Sequence, residues 1–220
     1  MTTVAEDLYL LLHLPDTGRA VVDRTSLDRA LGGALLLDLS VHNRITAEGD
    51  GARAKITVDT RSTGDTLLDL ALERLGPGPL RAQRAVERLA RRIREPVLEC
   101  LAGRGLVERR DERWLGLFPH TTWVIVDHRP GDALRRRLAE VLLGKGDPDE
   151  HLAGLISLVH AVKAEHKLVD GNRRELRARA EEIAGGDWAG VAVRKAVQAV
   201  QASVAVAVSA AATAGSAGSS

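Results

Sequence analysis

Apolar residues recur along this chain mostly at helical spacing, with short alternating stretches between. Thr3 followed by Glu6 forms a capping-box pair ahead of the apolar run 8–12, which predicts a short helix from Val4 to about His13. Pro15-Asp16-Thr17-Gly18 then turns the chain. Behind Thr25 or Ser26 as cap, Leu27, Leu31, Ala34, Leu35 and Leu39 repeat with helical period. Leu35, Leu36 and Leu37 put apolar groups on more than one face, so this helix is expected to be central and mostly buried. Asn43 is suited to close it in the left-handed conformation. Residues 44–47 and 54–58 then predict a hairpin around Glu48-Gly49-Asp50-Gly51.

Thr63-Gly64-Asp65 opens a further helix with Leu67, Leu68 and Leu75 on its apolar face, and Gly76-Pro77-Gly78-Pro79 breaks it. Residues 80–104 predict an arginine-rich helical stretch that Pro96 kinks or splits and Gly105 stops. A second hairpin, 106–110 with 113–117, is expected about Asp111-Glu112, and four helical stretches near 132–143, 149–164, 172–184 and 187–212. No linker forces two units, so one domain is expected over residues 1–214, with 215–220 a disordered tail.

Composition narrows the fold class to mainly α. Apolar residues make up 45% of the chain and aromatics only 2%, so the core is built from Leu, Val and Ala, which favours packed helices over a large sheet. The formal net charge of +1 argues against a generic nucleic-acid binder, and any anion binding has to come from local clustering. The single cysteine, Cys100, cannot form an internal disulfide and reads as a buried helix residue in a reducing cytoplasm. The start of the chain lacks the cationic n-region of a signal peptide, and the run 8–12 is far too short to span a bilayer. The apolar-leaning stretch 196–214 is expected to be a packed helix. The excess of arginine over lysine, with abundant Ala and Gly, reflects GC-rich codons and points to a bacterial source.

Two clusters carry candidate chemistry. Arg81, Arg84, Arg88, Arg91, Arg92 and Arg94 crowd one short segment opposed only by Glu87. Arg84, Arg88 and Arg91 share a helix face, and Arg91 and Arg94 are spaced one helical turn apart. Paired guanidinium groups suit phosphate through bidentate hydrogen bonds, although a solvated helix face is the plainer account of such a run. The second cluster is aromatic: Trp114, Phe118 and Trp123, with Leu115 and Leu117, fall together in a chain otherwise almost free of aromatics. Exposed, it would mark a membrane or partner contact; buried, it is core. No metal-ligand spacing, phosphate loop or nucleophile elbow is present, so no cofactor, no metal and no catalytic residues are expected. The segment 94–118, a helix followed by a hairpin, is also compatible with a winged helix that docks on DNA.

Ala5-Glu6-Asp7-Leu8-Tyr9-Leu10-Leu11-Leu12, Ala30-Leu31-Gly32-Gly33-Ala34-Leu35-Leu36-Leu37-Asp38-Leu39 and Thr63-Gly64-Asp65-Thr66-Leu67-Leu68-Asp69 resemble the Golgi phosphoprotein 3 family in order and spacing. Arg91-Arg92-Ile93-Arg94-Glu95, Arg104-Gly105-Leu106-Val107 and Gly186-Asp187-Trp188 continue the likeness. The resemblance implies a helical bundle wrapped by amphipathic helices with small peripheral β-hairpins. It implies a cytoplasmic peripheral membrane protein, not an enzyme, that recognises phosphatidylinositol 4-phosphate-like head groups and acts as an adaptor.

The family's two phosphate-contacting helix arginines correspond to Arg91 and Arg94, with Arg88 beside them. A tryptophan and an arginine of the family's eukaryotic pocket are replaced here by Asp23 and Gly32. The family's exposed hairpin, used for membrane contact and self-association, corresponds to residues 108–118 and so to Trp114, Leu115, Leu117 and Phe118. The partners implied are an anionic membrane lipid, a protein client and a second copy of the chain, with no nucleic acid. The alternatives kept beside this reading are a protein-interaction adaptor without specific lipid binding and a winged-helix nucleic-acid binder.

Overall fold

Helices α1 (Val4–Leu12), α2 (Arg24–Val41), α3 (Thr66–Leu75) and α7 (Glu150–Ala161) begin where short polar side chains satisfy free backbone N–H groups. The computed structural model describes residues 2–15, 17–114, 118–185, 198–206 and 208–209, with backbone alone over 111–114 and 118–121. Helix α1 (Val4–Leu12) starts at a complete capping box, with Thr3 and Glu6 each bonding the other's backbone. Helix α2 (Arg24–Val41) is capped by Asp23, which accepts from the N–H groups of Thr25 and Ser26. The expected caps, Thr25 and Ser26, are therefore the recipients of the cap, because the Asp23 carboxylate reaches both donors. Asn43 closes α2 at φ 54°, as its tolerance of the left-handed region allows.

The fold is mainly α, and α2 runs through its centre, buried almost continuously from Ser26 to Ser40. Its two adjacent glycines explain how helices pack on both sides. A Cβ on Gly32 would lie 2.8 Å from the Val86 carbonyl oxygen and 3.0 Å from the Ala90 nitrogen. A Cβ on Gly33 would lie 2.8 Å from Val204 Cγ2 and 2.9 Å from Val200 Cγ1. Gly32 thus admits the backbone of α4 (Ala82–Ala90), and Gly33 admits the side chains of the helix at residues 198–206. Helix α1 is fixed on α2 by Asp38, which accepts from Val4 N at 2.9 Å and Ala5 N at 3.3 Å. Helix α3 (Thr66–Leu75) starts at Asp65 as expected and ends at Gly76.

Strands stay peripheral. Strands β1 (Ile45–Glu48) and β2 (Lys55–Val58) form the expected hairpin, and an unexpected two-residue strand, β3 (Leu80–Arg81), adds to β2 through Lys55↔Arg81 and Ile56↔Leu80. The predicted arginine-rich helix is two helices, α4 and α5 (Arg94–Gly103). The break falls at residues 91–93, where Arg92 takes φ 50°, and not at Pro96. Pro96 sits in the first turn of α5, where its missing N–H has no intrahelical partner to lose. The second hairpin is longer than expected: β4 (Val107–Trp114) pairs with β5 (Phe118–Ile125), and Asp111 pairs with Thr121 instead of making the turn. The Asp-Glu turn signal loses to the continued strand pairing on either side.

Helices α6 (Arg129–Leu142), α7 (Glu150–Ala161), α8 (Glu165–Leu168) and α9 (Arg173–Gly185) complete the wrap. Arg135 of α6 donates to the Leu10 carbonyl at 2.8 Å and to the His13 carbonyl, tying α6 to α1. The expected helix over 149–164 is interrupted, with Lys163 at φ 56° between α7 and α8. Among the described residues, no helix is long and apolar enough to cross a membrane.

Candidate functional site

The arginine run lies along one exposed stripe of α4 and around the bend into α5. Arg81, Arg84 and Arg91 are exposed and Arg88 is half-buried, while Ala82, Ala85, Val86 and Leu89 fill the opposite face. That division is what an amphipathic helix on a Leu-rich core produces. Because the chain bends at Arg92, Arg91 and Arg94 are not successive turns of one helix: Arg91 caps the end of α4 and Arg94 is the first residue of α5.

Beside Arg91 lies an open cleft of about 330 Å³, lined by Thr25, Asp28 and Arg29 of α2 and by Glu87, Ala90 and Arg91 of the α4 end. Arg94 reaches it through an ion pair from Nε to Asp28 Oδ1 at 2.7 Å, both side chains largely buried. Burial pushes the Asp28 carboxyl above the usual carboxylate range, and the neighbouring Arg94 charge opposes that shift. Arg91 has no side-chain partner among the described residues, and its own carbonyl accepts from Arg74 Nη1 at 2.9 Å. The cleft therefore carries the Arg91 guanidinium and, on the α2 wall, Arg29, beside the carboxylates of Asp28 and Glu87, with Arg94 paired to Asp28.

The remaining pocket positions serve the scaffold. The Asp23 carboxylate is occupied by Thr25 N, Ser26 N and the Ser26 hydroxyl. Partial burial disfavours its ionised form, but these donors outweigh it and hold the carboxyl below its ordinary range. Gly32 is buried under α4 and gives a ligand no surface; it acts by letting α4 approach. Arg88 donates from Nη1 to the Leu75 carbonyl at 2.6 Å and so ties α4 to the end of α3. Arg29 also lines the cleft and is not among the residues that the sequence pattern singled out. It stands three residues before Gly32, so the helical period carries a cation to the neighbourhood that Gly32 leaves uncharged.

On the other flank of the stripe, a second cleft of about 390 Å³ is lined by Leu75, Pro77, Gly78, Pro79 and Leu80 and by Arg81, Arg84 and Arg88. No carboxylate lines it.

Other candidates are accounted for by packing. Cys100 is half-exposed on α5 rather than buried, and burial still pushes its thiol up, away from a reactive thiolate. His160 Nδ1 lies 2.6 Å from Glu165 and His151 Nε2 lies 2.8 Å from Asp7, both as helix-to-helix ties. Among the described residues no group of His, Cys, Asp and Glu is arranged to hold a metal. The exposed acids of α5, Glu95 and Glu99, deny DNA a basic helix face there. Leu115 and Leu117 lie outside the described residues, and so do the side chains of Trp114 and Phe118, whose backbones pair at the hairpin end.

No curated protein matches the chain. The family model described as Golgi phosphoprotein 3 (GPP34) matches residues 4–200.

Proposed function

The chain belongs to the Golgi phosphoprotein 3 family, and from that premise we propose that it binds the anionic head groups of membrane lipids, of the phosphoinositide kind, at the cleft between the start of α2 and the end of α4. The observation that carries this reading is the exposed Arg91 guanidinium, without a side-chain partner among the described residues, at the mouth of a cleft that also carries Arg29. An unpartnered guanidinium fork suits phosphate through paired hydrogen bonds, and a second arginine on the same opening adds to the attraction.

With Asp28 and Glu87 on the same walls, the cleft attracts anions weakly and separates one head group from another poorly. Attachment is peripheral and salt-sensitive, because charges exposed to water are screened over about 8–10 Å at physiological ionic strength. An adaptor role, in which the lipid-bound protein holds a client, extends the same reading. The hairpin end at residues 114–118 is its second contact, with membrane or with another copy.

Vesicle co-sedimentation across a panel of head groups tests this. The Arg29→Ala/Arg91→Ala variant should remain folded and bind phosphoinositide-doped phosphatidylcholine vesicles about tenfold more weakly, as expected for losing charge-assisted hydrogen bonds. Full binding by that folded variant sinks the assignment of this cleft. Loss of binding in a folded Trp114→Ser/Phe118→Ser variant instead would move the contact to the hairpin.

A further inference from the structure

Arg81 and Arg84 stand where a helix least favours cations. Arg81 is the N-cap of α4 and Arg84 lies in its first turn. The free N–H groups at that end carry the positive pole of the helix dipole, which favours carboxylates and disfavours guanidinium groups. Here no side chain caps the helix, and no acidic residue occupies its first turn. The one carboxylate of α4, Glu87, lines the opposite cleft and accepts from Gln83 Nε2 at 3.2 Å. Neither Arg81 nor Arg84 has a side-chain partner among the described residues, and both are exposed. Three arginines therefore line one opening that no carboxylate lines, beside a helix start whose first N–H, that of Ala82, bonds the Ala54 carbonyl at 2.9 Å.

The opposing wall gives the opening a fixed shape. Gly76 ends α3 at φ 67° and Gly78 sits at φ 98°, conformations that suit glycine, while Pro77 and Pro79 restrict the residues between. The turn is held to α4 by the 2.6 Å bond from Arg88 Nη1 to the Leu75 carbonyl, which also fixes the Arg88 guanidinium at the cleft. Leu75, Pro77, Pro79 and Leu80 supply an apolar side opposite the charges. Its volume of about 390 Å³ lies within the range of small-molecule sites.

We propose that this cleft between the α3–β3 turn and the start of α4 is a second anion site, which takes a phosphate monoester. The phosphate oxygens accept from Arg81, Arg84 and Arg88, and the organic part lies against Pro77, Pro79 and Leu80. Guanidinium forks bind oxyanions through paired hydrogen bonds, and three of them around one opening favour the doubly charged phosphate over a singly charged carboxylate or a halide. This inference goes beyond the α2-side reading and does not rest on it, since the two clefts share no lining residue.

Titration calorimetry with inorganic phosphate, beside co-sedimentation with phosphatidate-doped phosphatidylcholine vesicles, tests it with full-length protein. Arg81→Ala/Arg84→Ala should keep the circular dichroism of the wild type and lose about tenfold in affinity for at least one probe. Arg29→Ala/Arg91→Ala should leave phosphate affinity within about twofold. Arg81→Lys/Arg84→Lys should restore charge but only part of the affinity. Loss confined to soluble phosphate identifies a free-phosphate site, and loss confined to vesicles a lipid head group; either supports the site. Unchanged affinity for both probes in a folded Arg81→Ala/Arg84→Ala variant overturns it, as does wild-type protein that binds neither probe.

Discussion

The two ends of α4 carry the same residue type for different physical reasons. At the C-terminal end, Arg88 and Arg94 have work within the fold, while the Arg91 guanidinium has no side-chain partner among the described residues. Arg88 lies in the last turn, where a cation suits the helix dipole, and Arg91 caps it. Arg74 donates to the Arg91 carbonyl, and Arg94 neutralises the half-buried Asp28. At the N-terminal end, Arg81 and Arg84 oppose the dipole and meet no carboxylate. The family resemblance directs attention to the first end, and the electrostatics of this chain point to the second. A charge that stabilises its own fold is weak evidence for a ligand. A charge that its fold disfavours is stronger evidence, because the stability of the fold gives no reason for its position.

The largest expected effect separates the scaffold behind both ends from the charges on them. Burial pushes the Asp38 carboxyl up to about 7, against the opposing pull of the Val4 and Ala5 N–H groups. The hydrogen bond that His151 donates to Asp7 raises it above its ordinary value, and burial opposes it. Both folded values lie above the unfolded ones. The Asp38 contribution is therefore fully present below the ordinary carboxylate value and is lost as pH rises toward 7. That of His151 is fully present below the ordinary imidazole value and is lost as pH rises through its raised folded value. Urea denaturation from about pH 5 to about pH 8 should show stability falling by about 2–4 kcal/mol, with a flatter profile in Asp38→Asn. The arginines do not titrate in this range, so sulfate binding by the folded protein should stay constant at the cleft by the start of α4, which no carboxylate lines.

Smaller effects distinguish what holds α4 from what merely packs beside α2. Gly32→Ala drives a methyl into the Val86 carbonyl and should cost about 1–3 kcal/mol while weakening anion binding at both clefts. Gly33→Ala meets the buried side chains of Val200, Val204 and Leu158, and valine is stiff at χ1 in a helix, so it too should cost about 1–3 kcal/mol, but it should leave anion binding unchanged. Equal binding losses in the two variants would show that α4 is not positioned by Gly32. Arg94→Ala should cost about 1 kcal/mol by stranding Asp28, whereas Arg81→Ala should be neutral or slightly stabilising, by chemical denaturation. A destabilised Arg81→Ala would remove the contrast between the ends.

Much of this architecture was legible in the sequence because local rules and tertiary packing agree. The Thr3–Glu6 box, the left-handed Asn43, the all-round apolar α2 and the Gly-Pro break after α3 are each visible in a few residues. What was not legible depends on distant partners. The break at residues 91–93 has no sequence punctuation, since Arg92 is not a residue that favours φ 50° and Pro96 offered a more conventional breaker. Strand β3 is two residues long and exists only because β2 lies beside it. Of the candidate site, Arg91 and Arg94 were legible through resemblance. The capping role of Asp23, the packing role of Gly32 and the contribution of Arg29 needed the geometry of α2 against α4.

The central claim, that anion recognition resides on the arginine stripe of α4 and its two flanking clefts, is tested most directly by one variant. Arg29→Ala, Arg81→Ala, Arg84→Ala and Arg91→Ala together remove three exposed cations and the half-buried Arg29 but spare the Arg94–Asp28 pair and the Arg88 tie to Leu75. Co-sedimentation with phosphatidate-doped and neutral phosphatidylcholine vesicles should show a folded protein whose binding to the anionic vesicles has dropped to its level on the neutral ones. A folded quadruple variant that sediments with anionic vesicles as the wild type does would contradict the account.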